Sequence, residues 1–213
     1  TIESLCSDIL NVAGTDAKHK GISADVLMQQ NRSWVLSRMS VEIDRQPAQY
    51  DEYNILTWVN PHTSRLISTR NFELSDNEGV QFGRAVSQWC MLDFVKRVPV
   101  SLELINDAYT PYICLEPSPC EPPLRLRGFE ADVVAQHKVV YSDIDFNSHM
   151  NTMRYIALMV DMLDLELIKT NRPFRLDVHF MNECLYGQIL SVGMKSVDNQ
   201  SLFEITREDG TVA

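Results

Sequence analysis

Two sets of positions alternate over residues 34–43, where Val35, Ser37, Met39, Val41 and Ile43 interleave with Trp34, Leu36, Arg38, Ser40 and Glu42. A period of two marks a half-buried antiparallel strand. A turn region around Pro47–Asp51 and a second strand at Ile55–Val59 follow. The same grammar returns late in the chain. Leu176, Val178 and Phe180 alternate with Arg175, Asp177 and His179; Leu185–Gln188 read as a turn, and Ile189–Lys195 as another strand. Helical spacing precedes each set. Ile2, Leu5, Ile9, Leu10 and Ala13 form one apolar stripe, and Met153, Ile156, Ala157, Val160, Leu163 and Leu167 form another. The second helix is apolar over most of its circumference, since Leu158, Met159 and Met162 occupy its other faces. Such a helix must be wrapped, and the antiparallel strands that follow are the material available to wrap it.

The pattern is a repeat. FELSDNEG at 72–79 and FEITREDG at 203–210 are each a short strand running into a polar, Gly-ended turn. The first copy continues into the strand VQFGRAVSQWCMLD, whereas the second stops at Ala213. The second is preceded by the strand and loop VVAQHKVVYSDID, whereas the first opens directly in its helix. Each copy is therefore expected to lack one strand of the repeating unit, the first at its start and the second at its end. The domains expected are 1–111 and 130–213, joined by the Pro-rich, fairly stiff linker YICLEPSPCEPPLRLRGF at 112–129.

With 213 residues, 45% hydrophobic and 23% charged, the chain has the composition of a soluble globular protein of one large or two small domains. No apolar run approaches the roughly 18 residues that span a bilayer, and no secretory signal pattern opens the sequence. A net charge of −10 argues against nucleic acid as a partner. Five cysteines (Cys6, Cys90, Cys114, Cys120, Cys184) without metal-type spacing point to free thiols in a reducing compartment. No zinc spacing and no Gly-rich phosphate loop is present, so neither metal nor cofactor is expected.

The candidate chemistry lies in DIDFNSHMNTMRY. Asp145, Asn147 and His149 stand two apart immediately before the apolar helix, which is expected to begin near His149 or Met150. In extended backbone such residues point the same way and can converge on one spot. That spot lies at a helix N-terminus, where the macrodipole and unpaired N–H groups favour negative charge, good terrain for an oxyanion. Taken singly, Asp and Asn before a helix are usually caps. His19, His62, His137 and His179 suggest no partners.

DFNSHMNTMRYI resembles the motif of the acyl-acyl-carrier-protein thioesterases, in which Asp, Asn and His at these spacings are followed by an Asn and a Tyr, here Asn151 and Tyr155. The likeness extends to NRSWVLSRMSVEIDRQP at 31–47, SQWCMLDFVKRVPV at 87–100 and FMNECLYGQ at 180–188, in order along nearly the whole chain. It departs at Thr152, where plant members carry a second Asn. The resemblance implies an α+β fold of two tandem hot-dog domains, each a long helix wrapped by an antiparallel β-sheet. The first domain would hold the acyl chain, with Trp34, Met39, Trp58, Phe72 and Trp89 as candidate lining, and the second would be catalytic. It puts Asp145, Asn147 and His149 on the catalytic loop, Glu183 on the catalytic carboxylate and Cys184 on an adjacent cysteine. It also implies a fatty acyl thioester on acyl carrier protein as substrate, in a bacterial cytoplasm or a plant plastid, with the enzyme a monomer or homodimer.

The chemistry such a site must perform is modest. A thiolate whose acid has a pKa of about 8.5 leaves readily, so an activated water and a home for the oxyanion suffice. Glu183 is the expected general base on water, with His149 positioning that water or relaying its proton. Asn147 and the helix N-terminus would polarise the carbonyl. Asp145 either orients His149 or Asn147 or is itself the base, and a covalent route through Cys184 is the alternative to water attack. The carrier protein is acidic, like this chain, so docking would need a local basic patch. Candidates are Arg125, Arg127 and Lys138, or Arg154, Lys169, Arg172 and Arg175. The rivals are a hot-dog acyl-CoA thioesterase and a non-catalytic acyl-binding module.

Overall fold

The computed structural model describes residues 1–62, 64–125 and 128–213. Helix α1 (Ile2–His19) is started by Thr1, whose hydroxyl accepts the Ser4 N–H at 3.2 Å, and it buries Leu5, Cys6, Ile9, Ala13 and Ala17 on one stripe. A short α2 (Ala24–Met28) leads into strands β1 (Arg32–Ile43), β2 (Tyr53–Val59), β3 (Ser68–Asp76), β4 (Gln81–Asp93) and β5 (Val98–Val100). After α3 (Asn106–Tyr109) come β6 (Val133–Lys138), α4 (Thr152–Val160), α5 (Leu165–Lys169), β7 (Phe174–His179), β8 (Ile189–Val197) and β9 (Gln200–Arg207).

Two compact units result. The first comprises Thr1–Leu124 and Asn171–His179, and the second Arg125–Thr170 and Phe180–Ala213. The sequence boundary keeps 171–179 with the second domain; in the structure β7 pairs antiparallel with β1, Met39 opposite Val178 and Val41 opposite Leu176. The first unit's sheet therefore has the order β2-β3-β4-β1-β7, with β5 on β4. Alternation reads which face of a strand is apolar, not which strand lies beside it, so this pairing left no mark in the local pattern. The second unit's sheet is β6-β8-β9.

The linker region is held against the first unit as far as Leu124. Cys114 N–H donates to Val59 O at 2.8 Å, Asn60 Nδ2 donates to Cys114 O and Glu116 O, and Arg175 Nη2 donates to Glu121 O and Pro122 O. The Leu124 N–H closes the run on Asp177 Oδ1 at 3.1 Å.

Two local expectations change. The alternation of β1 is interrupted at Ser37, which is skipped in the pairing with β4, where Leu36 faces Trp89 and Arg38 faces Gln88. This bulge sets two residues against one and shifts the phase, so Leu36 is buried on one side of it and Met39, Val41 and Ile43 on the other. The second helix stops at Val160 instead of running through Leu167. Asp164 accepts the Glu166 N–H at 2.9 Å and starts α5 as a separate helix. Strand β6 ends at Lys138 and gives way to a 3₁₀ turn at Tyr141–Asp143.

Candidate active site

The polar loop is built entirely within the second unit. Asp143 is fully buried and is its anchor. One carboxylate oxygen accepts from His137 Nε2 at 2.7 Å and from the Val140 N–H at 2.9 Å, and the other accepts from Arg154 Nε at 2.8 Å. Its carbonyl receives the Asn151 N–H at 2.7 Å. Burial pushes its pKa up, but the Val140 amide, His137 and Arg154 together outweigh that and hold it below the usual aspartate value. The charge is thus kept because it is fully bonded. Sequence reasoning missed Asp143 and left His137 without a partner. The only signal was the DID spacing, which offers Asp143 and Asp145 as equals; burial alone separates them.

Beyond this anchor the chain closes a tight loop. Asp145 N–H donates to His149 O at 2.8 Å, and Ser148 N–H to Asp145 O at 3.0 Å. The Asp145 carboxylate turns back onto the loop, its Oδ1 accepting the N–H groups of Asn147 at 2.8 Å and His149 at 3.2 Å. Ser148 sits at φ 65°, the left-handed conformation the turn requires. Asp145 thus shapes the loop backbone. Phe146 and Asn147 stand exposed at its tip, Phe146 at 85%. The Asn147 carboxamide makes no hydrogen bond to protein among the described residues. Helix α4 begins at Thr152, later than expected. His149 and Met150 are drawn into bridges with Leu185 and Ile144, and Asn151 is the cap, accepting the Met153 N–H at 2.8 Å.

These bridges set the partner of His149. It pairs antiparallel with Leu185, and Met150 N–H donates to Cys184 O at 2.8 Å. Residues two apart share a face in such a segment, so Glu183 lies on the side of Leu185 and His149, and Cys184 on the other. His149 Nε2 stands 3.2 Å from Glu183 Oε2, with both side chains about one-third exposed (36% and 37%). Arg207 Nη1 donates to Glu183 O at 3.3 Å and steadies the segment from β9. The phase of β7 does not reach Glu183, because that strand ends at His179.

Cys184 points inward, wholly buried with Val139, Met150, Tyr155, Leu190 and Val192. Burial raises its thiol pKa. The Tyr155 hydroxyl accepts the Cys184 N–H at 2.8 Å, and the Tyr155 ring meets Phe180 edge-on. This is the surrounding of a structural cysteine.

In the first unit a cavity of ≈ 170 Å³ opens between α1 and the sheet, lined by Leu10, Ala13, Gly14 and Ala17 of the helix and by Trp34, Ser68, Arg70, Trp89 and Tyr109. Of the aromatic and Met candidates, Trp34 and Trp89 line it. Met39 and Phe72 are sealed in the core, and the Trp58 indole N–H donates to Glu116 O at 3.2 Å.

Three of the candidate docking cations are committed to partners. Arg154 binds Asp143, Lys169 binds Glu166, and Arg175 binds Glu42 and Asp177. Arg127 lies outside the described residues. Among the described residues, no helix is long and apolar enough to cross a membrane, and no cluster of His, Cys, Asp and Glu could hold a metal ion.

The acyl-ACP thioesterase N-terminal domain matches residues 1–112, and the C-terminal domain of the same family matches residues 127–212. The chain belongs to the acyl-ACP thioesterase family. An acyl-ACP thioesterase from Bacteroides thetaiotaomicron superposes with a TM-score of 0.89 at 32% identity, over 100% of this chain and 86% of that one. The 12:0-ACP thioesterase from Umbellularia californica shares the fold, with a TM-score of 0.85 at 15% identity, over 100% of this chain and 86% of that one. Oleoyl-acyl carrier protein thioesterase 2, chloroplastic, of Arabidopsis thaliana is 24% identical over 99% of this chain. The chain spans 62% of that plant relative's length and 57% of its paralogue's. The architecture is accordingly that of tandem hot-dog domains, as the motif resemblance implied.

Proposed function

We propose that this chain hydrolyses fatty acyl thioesters of acyl carrier protein and releases the free fatty acid. Glu183 accepts a proton from water, and His149, 3.2 Å away, fixes that water's position. The water oxygen bonds to the acyl carbon. The carbonyl becomes an oxyanion that the Asn147 carboxamide meets with an N–H. Collapse breaks the C–S bond, and the thiolate leaves with the proton held by Glu183. Asp145 acts as a positioning residue through the loop amides it binds. The cavity of the first unit takes the acyl chain, and Arg125 and Lys138, which have no ion-pair partner among the described residues, offer positive charge to the carrier.

The observation that carries this reading is the closeness of His149 and Glu183, enforced by the His149–Leu185 bridge, in a chain of this family. The test is the rate of free-acid release from carrier-protein thioesters of graded length and from matched coenzyme A thioesters. Carrier-protein thioesters should be cleaved faster, and Glu183→Ala or His149→Ala should each remove most of the rate. Equal or faster cleavage of the coenzyme A series would assign a different carrier. Acyl binding without turnover would make the chain a binding module.

A further inference from the structure

The cavity of the first unit is not uniformly apolar, although an alkyl chain would want it so. Its helix side is small and greasy. Ala13, Gly14 and Ala17 withhold the bulk that would fill it, and a Cβ built on Gly14 would meet nothing within 4 Å. Its sheet side carries a buried cation and a buried hydroxyl pair. Arg70 is 6% exposed; its Nη1 donates to Asp16 Oδ2 at 2.6 Å and to Thr57 Oγ1 at 3.2 Å. Its Nε and Nη2 make no hydrogen bond to protein among the described residues. Lys20 donates to the same Asp16 oxygen at 2.7 Å, so two cations share one carboxylate and the cluster keeps an excess positive charge. Burial opposes the ionisation of Asp16, but the bonds from Lys20 and Arg70 hold its pKa below the usual value. Beside Arg70, the Ser68 and Tyr109 hydroxyls bond to each other, and the Tyr109 ring is stacked on His62 with centroids 4.6 Å apart.

We propose that this cavity selects acyl chains that carry a hydrogen-bonding oxygen, a hydroxyl or oxo group, near their distal end, with Arg70 as the specificity-determining residue and the Ser68–Tyr109 pair assisting. The proposal rests on the reading that the cavity holds the acyl chain. A saturated tail pushed against Arg70 strips water from guanidinium N–H groups and returns no acceptor, which is unfavourable. An oxygenated tail returns one, and a site built to bond a substrate oxygen rejects the analogue that lacks it more strongly than an apolar pocket rejects a change of one methylene. Size agrees with a distal segment. The ≈ 170 Å³ is close to the ~150 Å³ cavity that admits one benzene, equivalent to about six carbon atoms.

The test uses the full chain and two neutral, non-hydrolysable ligands, the N-(2-acetamidoethyl) amides of octanoic and ω-hydroxyoctanoic acid, titrated by tryptophan fluorescence, since Trp34 and Trp89 line the cavity. The hydroxylated amide should bind about tenfold more tightly, as expected for a satisfied charge-assisted hydrogen bond. Arg70→Met should reduce that preference to within about twofold, chiefly by weakening the hydroxylated ligand. Should Arg70→Met fail to fold, the shape-preserving pair Ser68→Ala with Tyr109→Phe decides, with a smaller fall in preference expected. Equal or tighter binding of the saturated amide overturns the proposal, as does a preference that survives both sets of substitutions, or binding of neither ligand. Absence of thioester turnover with the preference intact would remove the hydrolase reading and leave this one standing.

Discussion

Helices α1 and α4 open equivalent halves of a repeated unit, yet they solve the packing problem in opposite ways. Helix α1 spans 18 residues and buries only the small Ala13 and Ala17 beside the cavity, with Gly14 at its border, so a cavity remains. Helix α4 has 9 residues, buries Tyr155, Ile156, Ala157 and Leu158, and is preceded by the polar loop anchored on Asp143. One half is hollow and the other carries chemistry-bearing side chains. The difference teaches that two halves built on one pattern can diverge through two changes: side-chain volume on one helix, and a handful of hydrogen bonds before the other.

The sharpest way to break this contrast is at Glu183. Glu183→Ala should lower the rate of thioester hydrolysis by about three orders of magnitude, within the range for a general base, while the thermal midpoint stays within a few degrees. A full rate in that variant would return the polar loop to a structural role. Asp143→Ala should act on stability instead. It leaves Arg154 and His137 without their buried partner and should cost about 3 kcal/mol or more, read as a lower urea midpoint. The same group gives a pH dependence with a definite sign. Its native pKa is depressed, so its stabilisation is complete above the unfolded aspartate value of 3.8 and is lost as pH falls through the lower native value. Urea midpoints of the native chain and Asp143→Asn should begin to draw together only as pH falls below about 4.

Cys184→Ala sharpens the comparison further. Its thiol faces the core, so the rate should stay within about threefold while stability drops by about 1 kcal/mol; a thousandfold loss of rate with the fold intact would restore the covalent route. The smallest effect belongs to the hollow half. Gly14→Ala should stabilise by about 0.5–1 kcal/mol, since it replaces a glycine within a helix and its Cβ meets open space. The same substitution should weaken the longest acyl chains relative to shorter ones, measured as KM across a length series.

Much of the fold was legible because apolar periodicity is local. The repeat, the α1 stripe, β2 and the hairpin turns at 77–79 and 208–210 follow from residues a few positions apart. The less legible features depended on atoms distant in the chain. The Ser37 bulge is visible only against β4, and the early end of α4 comes from an Asp164 cap that the apolar run of Leu163 and Leu167 overrides in any periodicity count. Within the candidate site, Asn147, His149 and Glu183 stood out by motif. Asp143 did not, and Asp145 exchanged a side-chain role for one on the loop backbone.

By itself the sequence determined the kind of protein this is: two copies of a helix and an antiparallel sheet, one with a polar motif ahead of its helix. Side-chain period and turn chemistry suffice for that, since both act over short spans of chain. Tertiary structure decided which carboxylate is buried, which histidine nitrogen meets Glu183, that Cys184 faces the core, and that Arg70 lines a cavity. Those depend on strand register and on burial, which shift by a whole face when the chain slips by one residue.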